Sequence, residues 1–190
     1  MSLREKQIRE TRSALLKAGR NLFTLQGYDA ASAEEIVSAA GLTRGALYHH
    51  FKGGKRGLFE AVFAELQSEA YAAVIGARRT DGTSGAEQIS AYLEIACRPD
   101  YRRVVLIDGP AVLGWNAWHS DEAERWMEAM RDGFEALPQG HRLQKLNRDM
   151  MASILFGALG EAALRVSAAP DPMLARKRAL EVFRALIDSD

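Results

Sequence analysis

The sequence predicts an all-α protein of about nine helices. Apolar residues recur at helical spacing along most of the chain. Glycine, proline and short polar runs interrupt this pattern where helices should end, and no run of residues reads as a strand. The predicted helices cover residues 4–26, 32–40, 43–50, 56–78, 86–97, 100–118, 121–136, 143–167 and 172–188.

The first helix is predicted by one apolar stripe and a glycine. Leu15, Leu16, Leu22 and Phe23 fall on one side of a helix. Gly27 follows, and glycine is the residue that most often ends a helix. The helix should therefore run from about residue 4 to residue 26.

The second and third helices are short and closely linked. Ser32 precedes Glu35 by three residues, which is the spacing of a capping box at a helix start. Gly41 suits a tight turn, and Thr43 can cap the next helix. Two helices of about seven residues joined by a short glycine-containing link form a helix-turn-helix pattern.

The rest of the chain continues as helices separated by breaks. A long helix follows from about residue 56 and ends before a polar, glycine-rich segment. Pro110 has no amide N–H to donate, so the helix over 100–118 should bend there. Breaks at 137–140 and 169–172 separate the last helices.

Composition predicts a soluble protein of the cytoplasm. Hydrophobic residues make up 47% and charged residues 26% of the 190 residues, as in ordinary globular proteins. A single cysteine, Cys97, excludes an intramolecular disulfide and suits a reducing compartment. The charged N-terminus does not resemble a signal peptide, and no stretch reads as a membrane span.

The net charge of zero conceals an uneven distribution. Residues 1–60 hold ten Lys or Arg and six Asp or Glu, whereas residues 61–190 hold 15 and 19. A basic first third and an acidic remainder suggest that only the first third meets a polyanion.

The start of the third helix has the composition of a base-reading surface. Arg44 can pair with guanine or with phosphate, and Gly45 and Ala46 would let the helix backbone approach base edges closely. Tyr48 and His49 supply hydrogen-bond donors along the flanks. On composition alone, a helical hairpin with a solvated polar face explains this segment equally well.

The stretch from Gly27 to Leu58 resembles the signature of the TetR family of regulators. It contains Gly-Tyr, Ile-x3-Ala-Gly, Gly-x-Leu-Tyr-x-x-Phe and Lys-x2-Leu in that order. Val37 replaces a common alanine, and a threonine often found near Ala33 is absent. The second departure puts one possible phosphate contact in doubt.

The resemblance implies a DNA-binding role for matching positions. Arg44, Gly45 and Ala46 would face bases, whereas the other positions would contact the sugar-phosphate backbone. Leu47 and Phe51 should instead point into the core. The DNA-binding residues implied are Ser32, Thr43, Arg44, Gly45, Ala46, Tyr48, His49 and Lys55.

The resemblance also implies two domains and a homodimer. Residues 1–55 would form the helix-turn-helix domain, and 56–190 a helical domain that binds an effector and dimerises through the last two helices. The alternative for those helices is the core of a monomer. The effector-pocket candidates are Tyr92, Asp108, Trp115, Trp118 and Met127, although for each aromatic a place in the core is the stronger interpretation.

The function implied is sequence-specific transcriptional regulation, with a repressor released from a palindromic operator by a small molecule. The alternative is a helical small-molecule-binding protein without DNA binding. An enzyme is the other class considered, but no nucleophile elbow, phosphate-binding loop or metal-ligand spacing of histidines is present. No cofactor and no metal are expected.

Overall fold

The computed structural model of the chain describes residues 2–77, 84–114, 121–135, 137 and 141–187. Most of these described residues lie in helices and none lies in a strand, so the all-α prediction is confirmed. The α-helices in the described ranges are α1 (Leu3–Gln26), α2 (Ala33–Ala39), α3 (Arg44–His50), α4 (Lys55–Gly76), α5 (Ser84–Ala96), α6 (Gly109–Leu113), α7 (Asp121–Glu135), α8 (Arg148–Ala168) and α9 (Pro172–Ile187).

One departure from the predicted helices lies around Pro110. A π-helical stretch, Tyr101–Asp108, leads without a break into α6, where Pro110 occupies the first turn. Proline is tolerated there because the first amides of a helix have no partner within it. The predicted bend is therefore a change from π- to α-helical hydrogen bonding, and α6 ends at Gly114. Residues 115–118 of the predicted helix lie outside the described ranges.

A second departure lies at the start of α8. The helix predicted from residue 143 is interrupted, because Arg142–Lys145 form a 3-10 turn and α8 begins at Arg148. Asn147 caps α8, and its Oδ1 accepts a hydrogen bond from the amide of Met150 at 2.9 Å. The remaining predicted bounds lie within about two residues of those observed.

The contacts divide the chain into two compact units. The first contains Met1–Gln67 and Pro99–Gly114, and the second contains Ser68–Arg98 and Trp115–Asp190. This division differs from the predicted boundary between residues 55 and 56. The segment after Pro99 packs against α1, and Gly109 lies against the Phe63 ring of α4.

The first unit has an apolar core built from α1 to α4 and the π-helical stretch. The rings of Phe23 and Phe59 meet edge to face, with centroids 5.3 Å apart, and Tyr28 packs against Phe59 at 5.0 Å. The phenol of Tyr101 donates to Oε1 of Gln67 at 2.8 Å, which satisfies a buried amide side chain. The fully buried residues include Leu15, Phe23, Ile36, Leu47, Leu58, Phe59, Val62, Val104 and Val105.

The second unit has two apolar clusters. One joins α5, α8 and α9 through Ile89, Leu93, Leu159, Val166 and Phe183. The other joins α7, the 3-10 turn and α8. Its buried members are Phe134, Leu143 and Ala152.

Both α8 and α9 keep large apolar side chains outside these clusters. Ile154 on α8 is 57% exposed, and Val182 on α9 is 60% exposed. By length and composition α8 could cross a membrane, with a mean hydropathy of 1.3, although no membrane span is predicted from the sequence. Only 22% of that apolar window is buried, so its composition reflects an apolar surface as well as a core face.

Candidate nucleic-acid interface

The helix-turn-helix is held by side-chain caps at both of its helix starts. Ser32 Oγ accepts from the amide of Glu35 at 3.1 Å, and the Glu35 carboxylate accepts from the Ser32 amide at 2.9 Å. Thr43 Oγ1 accepts from the amide of Ala46 at 3.3 Å. Gly41, at φ +66°, makes the turn between the helices. The capping roles predicted for Ser32 and Thr43 are confirmed.

Helix α3 is amphipathic in the way the sequence predicts. Leu47 is fully buried, and Phe51 is buried just after the helix with the guanidinium of Arg12 5.0 Å from its ring centroid. Arg44, Gly45, Tyr48 and His49 are exposed, and Ala46 is half-buried. The side chains predicted to face bases therefore share the outer surface of α3.

The Arg44 side chain is held by two neighbours on this surface. Its Nη1 donates to Oε1 of Glu34 at 2.5 Å, and its guanidinium lies 5.8 Å from the ring centroid of Tyr48. A hydrogen bond with Tyr48 and the charge of Glu34 raise the pKa of Arg44 above its ordinary value. The sequence predicts no role for Glu34, which lies on α2.

Tyr48 is positioned by the loop that follows α3. Gly54 has φ +63°, and a Cβ at this position would lie 2.7 Å from the Tyr48 ring. The ring packs directly on the glycine, which leaves Tyr48 51% exposed at the surface. This arrangement explains why the loop needs glycine at this position.

The ammonium of Lys55 is engaged within the first unit. Its Nζ donates to the carbonyl of Tyr28 at 2.9 Å and lies 4.2 Å from the centroid of the Tyr28 ring. Lys55 therefore ties the start of α4 to the start of the α1–α2 loop. A phosphate contact by Lys55 stays a prediction, and such a contact would have to share the ammonium with Tyr28.

The two adjacent histidines differ in their surroundings. Their rings meet edge to face with centroids 5.1 Å apart. His49 is exposed, whereas burial, His49 and Arg12 together lower the pKa of His50, with burial the largest cause. A lowered pKa favours the neutral form of His50. Of the two histidines, His49 is the more exposed, and it is the one predicted to contact phosphate.

Asp108, predicted as an effector contact, makes its bonds inside the first unit. Its Oδ2 accepts from the amide of Tyr28 at 2.7 Å, and its Oδ1 accepts from Nε of Arg103 at 3.1 Å. The carboxylate is only 11% exposed. The protein's own donors give Asp108 a structural role, and an effector contact by Asp108, which stays a prediction, would have to share the carboxylate with them.

The other effector candidates lie in the second unit or outside the described ranges. Tyr92 packs against the α5–α8–α9 cluster, and Met127 packs against the cluster around Phe134. Tyr92 therefore has the core contacts that were the stronger interpretation for it, and Met127 has core contacts as well. Trp115 and Trp118 lie outside the described residues.

Trp126 is a residue of the second unit that sequence reasoning missed. It is buried, and the rings of Tyr71 and Tyr92 meet it edge to face at 5.3 and 5.7 Å. The guanidinium of Arg125 lies 4.5 Å from the Tyr71 ring centroid. The only signal in the sequence was its place beside Met127, since its partners come from two distant helices.

Models of protein families match both parts of the chain. Residues 15–62 match the family described as bacterial regulatory proteins, tetR family. Residues 84–189, more than half of the chain, match the tetracyclin repressor-like C-terminal domain.

Individual relatives agree with these matches. A TetR-family transcriptional regulator of known structure from Pectobacterium atrosepticum is 30% identical, with a TM-score of 0.72, over 98% of this chain and 96% of that one. The Transposon Tn10 TetC protein of Escherichia coli is 26% identical over 80% of this chain and 78% of its own. The transcriptional repressor BepR of Brucella suis is 30% identical over 50% of this chain and 47% of its own. The chain belongs to the tetR family of bacterial regulatory proteins.

Proposed function

We propose that this regulator represses transcription by placing α3 of each protomer of a homodimer in the major groove of a palindromic operator. The observation that carries the proposal is the outer surface of α3. Arg44 and Gly45 are exposed there, while the buried Leu47 fixes the helix to the core beneath. A rigid helix with its first turn outward is the geometry that reads base edges.

Each residue of this surface has a distinct role. Arg44 pairs with guanine, and Gly45 and Ala46 let the backbone come close to the bases. Tyr48, which packs on Gly54, and the exposed His49 contact the sugar-phosphate backbone. Ser32, Thr43 and Lys55 contribute phosphate contacts in addition to their bonds within the domain.

The homodimer forms through the outward faces of α8 and α9. Ile154, Gly157 and Ala158 are exposed on one side of α8, and a Cβ at Gly157 would meet no other atom within 4 Å. Val182 and Leu186 are exposed on α9. Small residues beside large apolar ones suit close helix packing between protomers, and such a patch is unusual on a monomer.

The effector is a small molecule bound in the C-terminal domain. The aromatic group of Tyr71, Tyr92 and Trp126 is the candidate for its lining, because ligand sites are mainly apolar and aromatic. Its binding shifts the dimer between two conformations. A coupling of about 1–3 kcal/mol changes DNA affinity roughly 5–150-fold. The protein acts in the cytoplasm, where its DNA lies.

Two variants test the DNA-binding proposal. DNA is selected from a random pool by the wild-type protein, by Arg44→Ala and by His49→Ala. Arg44→Ala should relax base preference at specific positions, whereas the exposed His49 contacts the sugar-phosphate backbone alone, so its loss weakens all DNA alike. Identical selected sequences and identical losses for both variants would contradict the proposal.

A further inference from the structure

The pairing of Glu34 with Arg44 joins the two helices of the helix-turn-helix at its exposed surface. Nη1 of Arg44 lies 2.5 Å from Oε1 of Glu34, and both side chains are 62% exposed. Ion pairs this exposed add little to folding stability, because water screens them and holding two long side chains costs entropy. Stability of the fold therefore does not explain the pair.

The position of Glu34 is unexpected for a polyanion-binding surface. Its carboxylate lies beside the arginine that the proposed function places on base edges. The neighbouring carboxylate of Glu35 is bonded to Ser32 in the capping box, so it has a structural role. Glu34 makes no such cap, and its carboxylate accepts a hydrogen bond from Arg44.

The chemistry of the pair separates the two ways in which arginine binds DNA. An arginine attracts phosphate through its charge, regardless of sequence, and binds guanine through two aligned N–H donors. Glu34 cancels the charge but occupies only Nη1 among the nitrogens of the guanidinium. Apart from the one that bonds Tyr48, the remaining N–H groups stay available for a bidentate contact, and the bond to Glu34 orients them.

We propose that Glu34 is a specificity-determining residue, because it offsets the charge of Arg44 and orients its guanidinium. Arg44 then strengthens binding where guanine supplies two acceptors, and adds little affinity at other base pairs. The proposal rests on the proposed function. It gives a residue of α2 a role in the base sequence that α3 recognises. It makes the acidic side chain a means of weakening binding to the wrong DNA.

The test compares Glu34→Gln with a variant that makes the same charge change. Glu60→Gln is the matched control, since Glu60 is half exposed and pairs with Arg56 one turn away on its own helix. Dissociation constants are measured over a range of salt for the best selected fragment and for the same fragment scrambled. Far-UV circular dichroism checks that both variants stay folded.

Glu34→Gln should bind the scrambled fragment about fivefold more tightly, the size of one exposed charge pair at contact distance. The selected fragment should gain less, so the ratio of the two affinities falls. The salt slope on scrambled DNA should steepen by about one phosphate contact. Glu60→Gln should change both affinities by the same factor.

The same measurements in an Arg44→Ala background isolate the coupling between the two residues. There Glu34→Gln should change both fragments alike, because no guanidinium remains to be oriented. Two results would overturn the inference while leaving the proposed function standing. One is an unchanged ratio of the two affinities in Glu34→Gln. The other is a ratio that Glu34→Gln lowers as much in the Arg44→Ala background as in the wild-type background. A wild-type protein that binds both fragments equally would instead overturn the proposed function and this inference together.

Discussion

Gly45 is a residue whose presence the protein itself does not explain. It lies in the first turn of α3, where glycine weakens a helix by roughly 0.5–1 kcal/mol relative to alanine. A methyl group there would lie 3.8 Å from Oγ1 of Thr43, an ordinary contact distance. The folded chain has room for alanine, so the proposed account assigns the glycine to the approach of DNA.

Gly45→Ala should therefore separate stability from binding. We expect the free energy of unfolding in urea to rise by roughly 0.5–1 kcal/mol, and the affinity for a selected operator to fall at least tenfold because the added methyl group meets the bases. Gly133→Ala, in α7, is the control, since no atom lies within 4 Å of its Cβ position. It should gain similar stability with unchanged DNA binding, and equal binding by both variants would refute the role of Gly45.

Asp108 shows the reverse relation, a residue that suggested a ligand and has a structural role. Asp108→Ala leaves the amide of Tyr28 and Nε of Arg103 without their acceptor. The free energy of unfolding should fall by about 1–3 kcal/mol, the usual cost of leaving such groups unpaired. Glu60→Ala, which removes an exposed pair, should cost no more than about 0.5 kcal/mol. If Asp108→Ala is as stable as Glu60→Ala, the structural role is wrong.

Local spacing could predict only part of the site at the level of residues. Thr43, Arg44 and Leu47 lie within five positions of each other. Helical geometry alone therefore places Thr43 at the cap, Arg44 on the outer surface and Leu47 in the core. Tyr28, which bonds both Asp108 and Lys55, lies 80 residues from the first and 27 from the second. No periodicity in the sequence encodes such pairings, and for the same reason Glu34 escaped notice.

At the scale of elements, the capping box at the start of α2 gives a measurable pH dependence. The hydrogen bonds from the amide and hydroxyl of Ser32 lower the pKa of Glu35 below its ordinary value. A carboxylate with a lowered pKa in the folded state stabilises the fold above its ordinary pKa. This contribution is lost as the pH falls through the lowered value.

Ser32→Ala should cost roughly 0.5–2 kcal/mol of unfolding free energy at neutral pH, as other N-cap losses do. Because the hydroxyl no longer bonds Glu35, the variant should also lose less stability than the wild type on acidification. Urea titrations at neutral and acidic pH measure both effects. Parallel pH profiles for the two proteins would show that the box does not set the pKa of Glu35.

Elements with a clear apolar stripe and caps were predictable, and those with unusual hydrogen bonding were not. Periodicity and capping residues located α1, α2 and α3. The π-helical stretch before Pro110 and the 3-10 turn before α8 carry the same apolar pattern as an α-helix would. Their different hydrogen bonding depends on packing against other elements, which a periodic pattern does not contain.

The whole molecule should be a dimer if the outward face of α8 is an interface. Ile154→Glu places a charge in that face and should yield monomers with at least tenfold weaker binding to a palindromic operator, because each protomer then binds one half-site alone. Sedimentation velocity measures the oligomeric state, and fluorescence anisotropy measures DNA binding.

Met173→Glu is the matched control for that experiment. Met173 is 68% exposed and lies nine residues before Val182, on the opposite side of α9. This variant should remain a dimer with unchanged operator affinity. Dimers in both variants would place the interface elsewhere, and monomers in both would show that the face is wider than proposed.

The family could be recognised from the first third of the chain, whereas the assembly could not be fully predicted. Phe183, on one of the two helices predicted to dimerise, lies in the protomer's own core, whereas Val182 beside it is exposed. Adjacent apolar residues on a helix look alike in sequence, and only packing separates core from interface. Pocket residues present the same difficulty, as Tyr92 illustrates.

Sequence-specific binding to a symmetric operator is the main prediction for this protein. It is measured by recovering genomic DNA fragments on the purified protein. Protein refolded from denaturant is used, so that no carried-over effector blocks binding. We expect a palindromic site with half-sites about one helical turn apart, and an affinity that falls steeply with salt. Weak binding to all fragments alike, with no shared site, would contradict it.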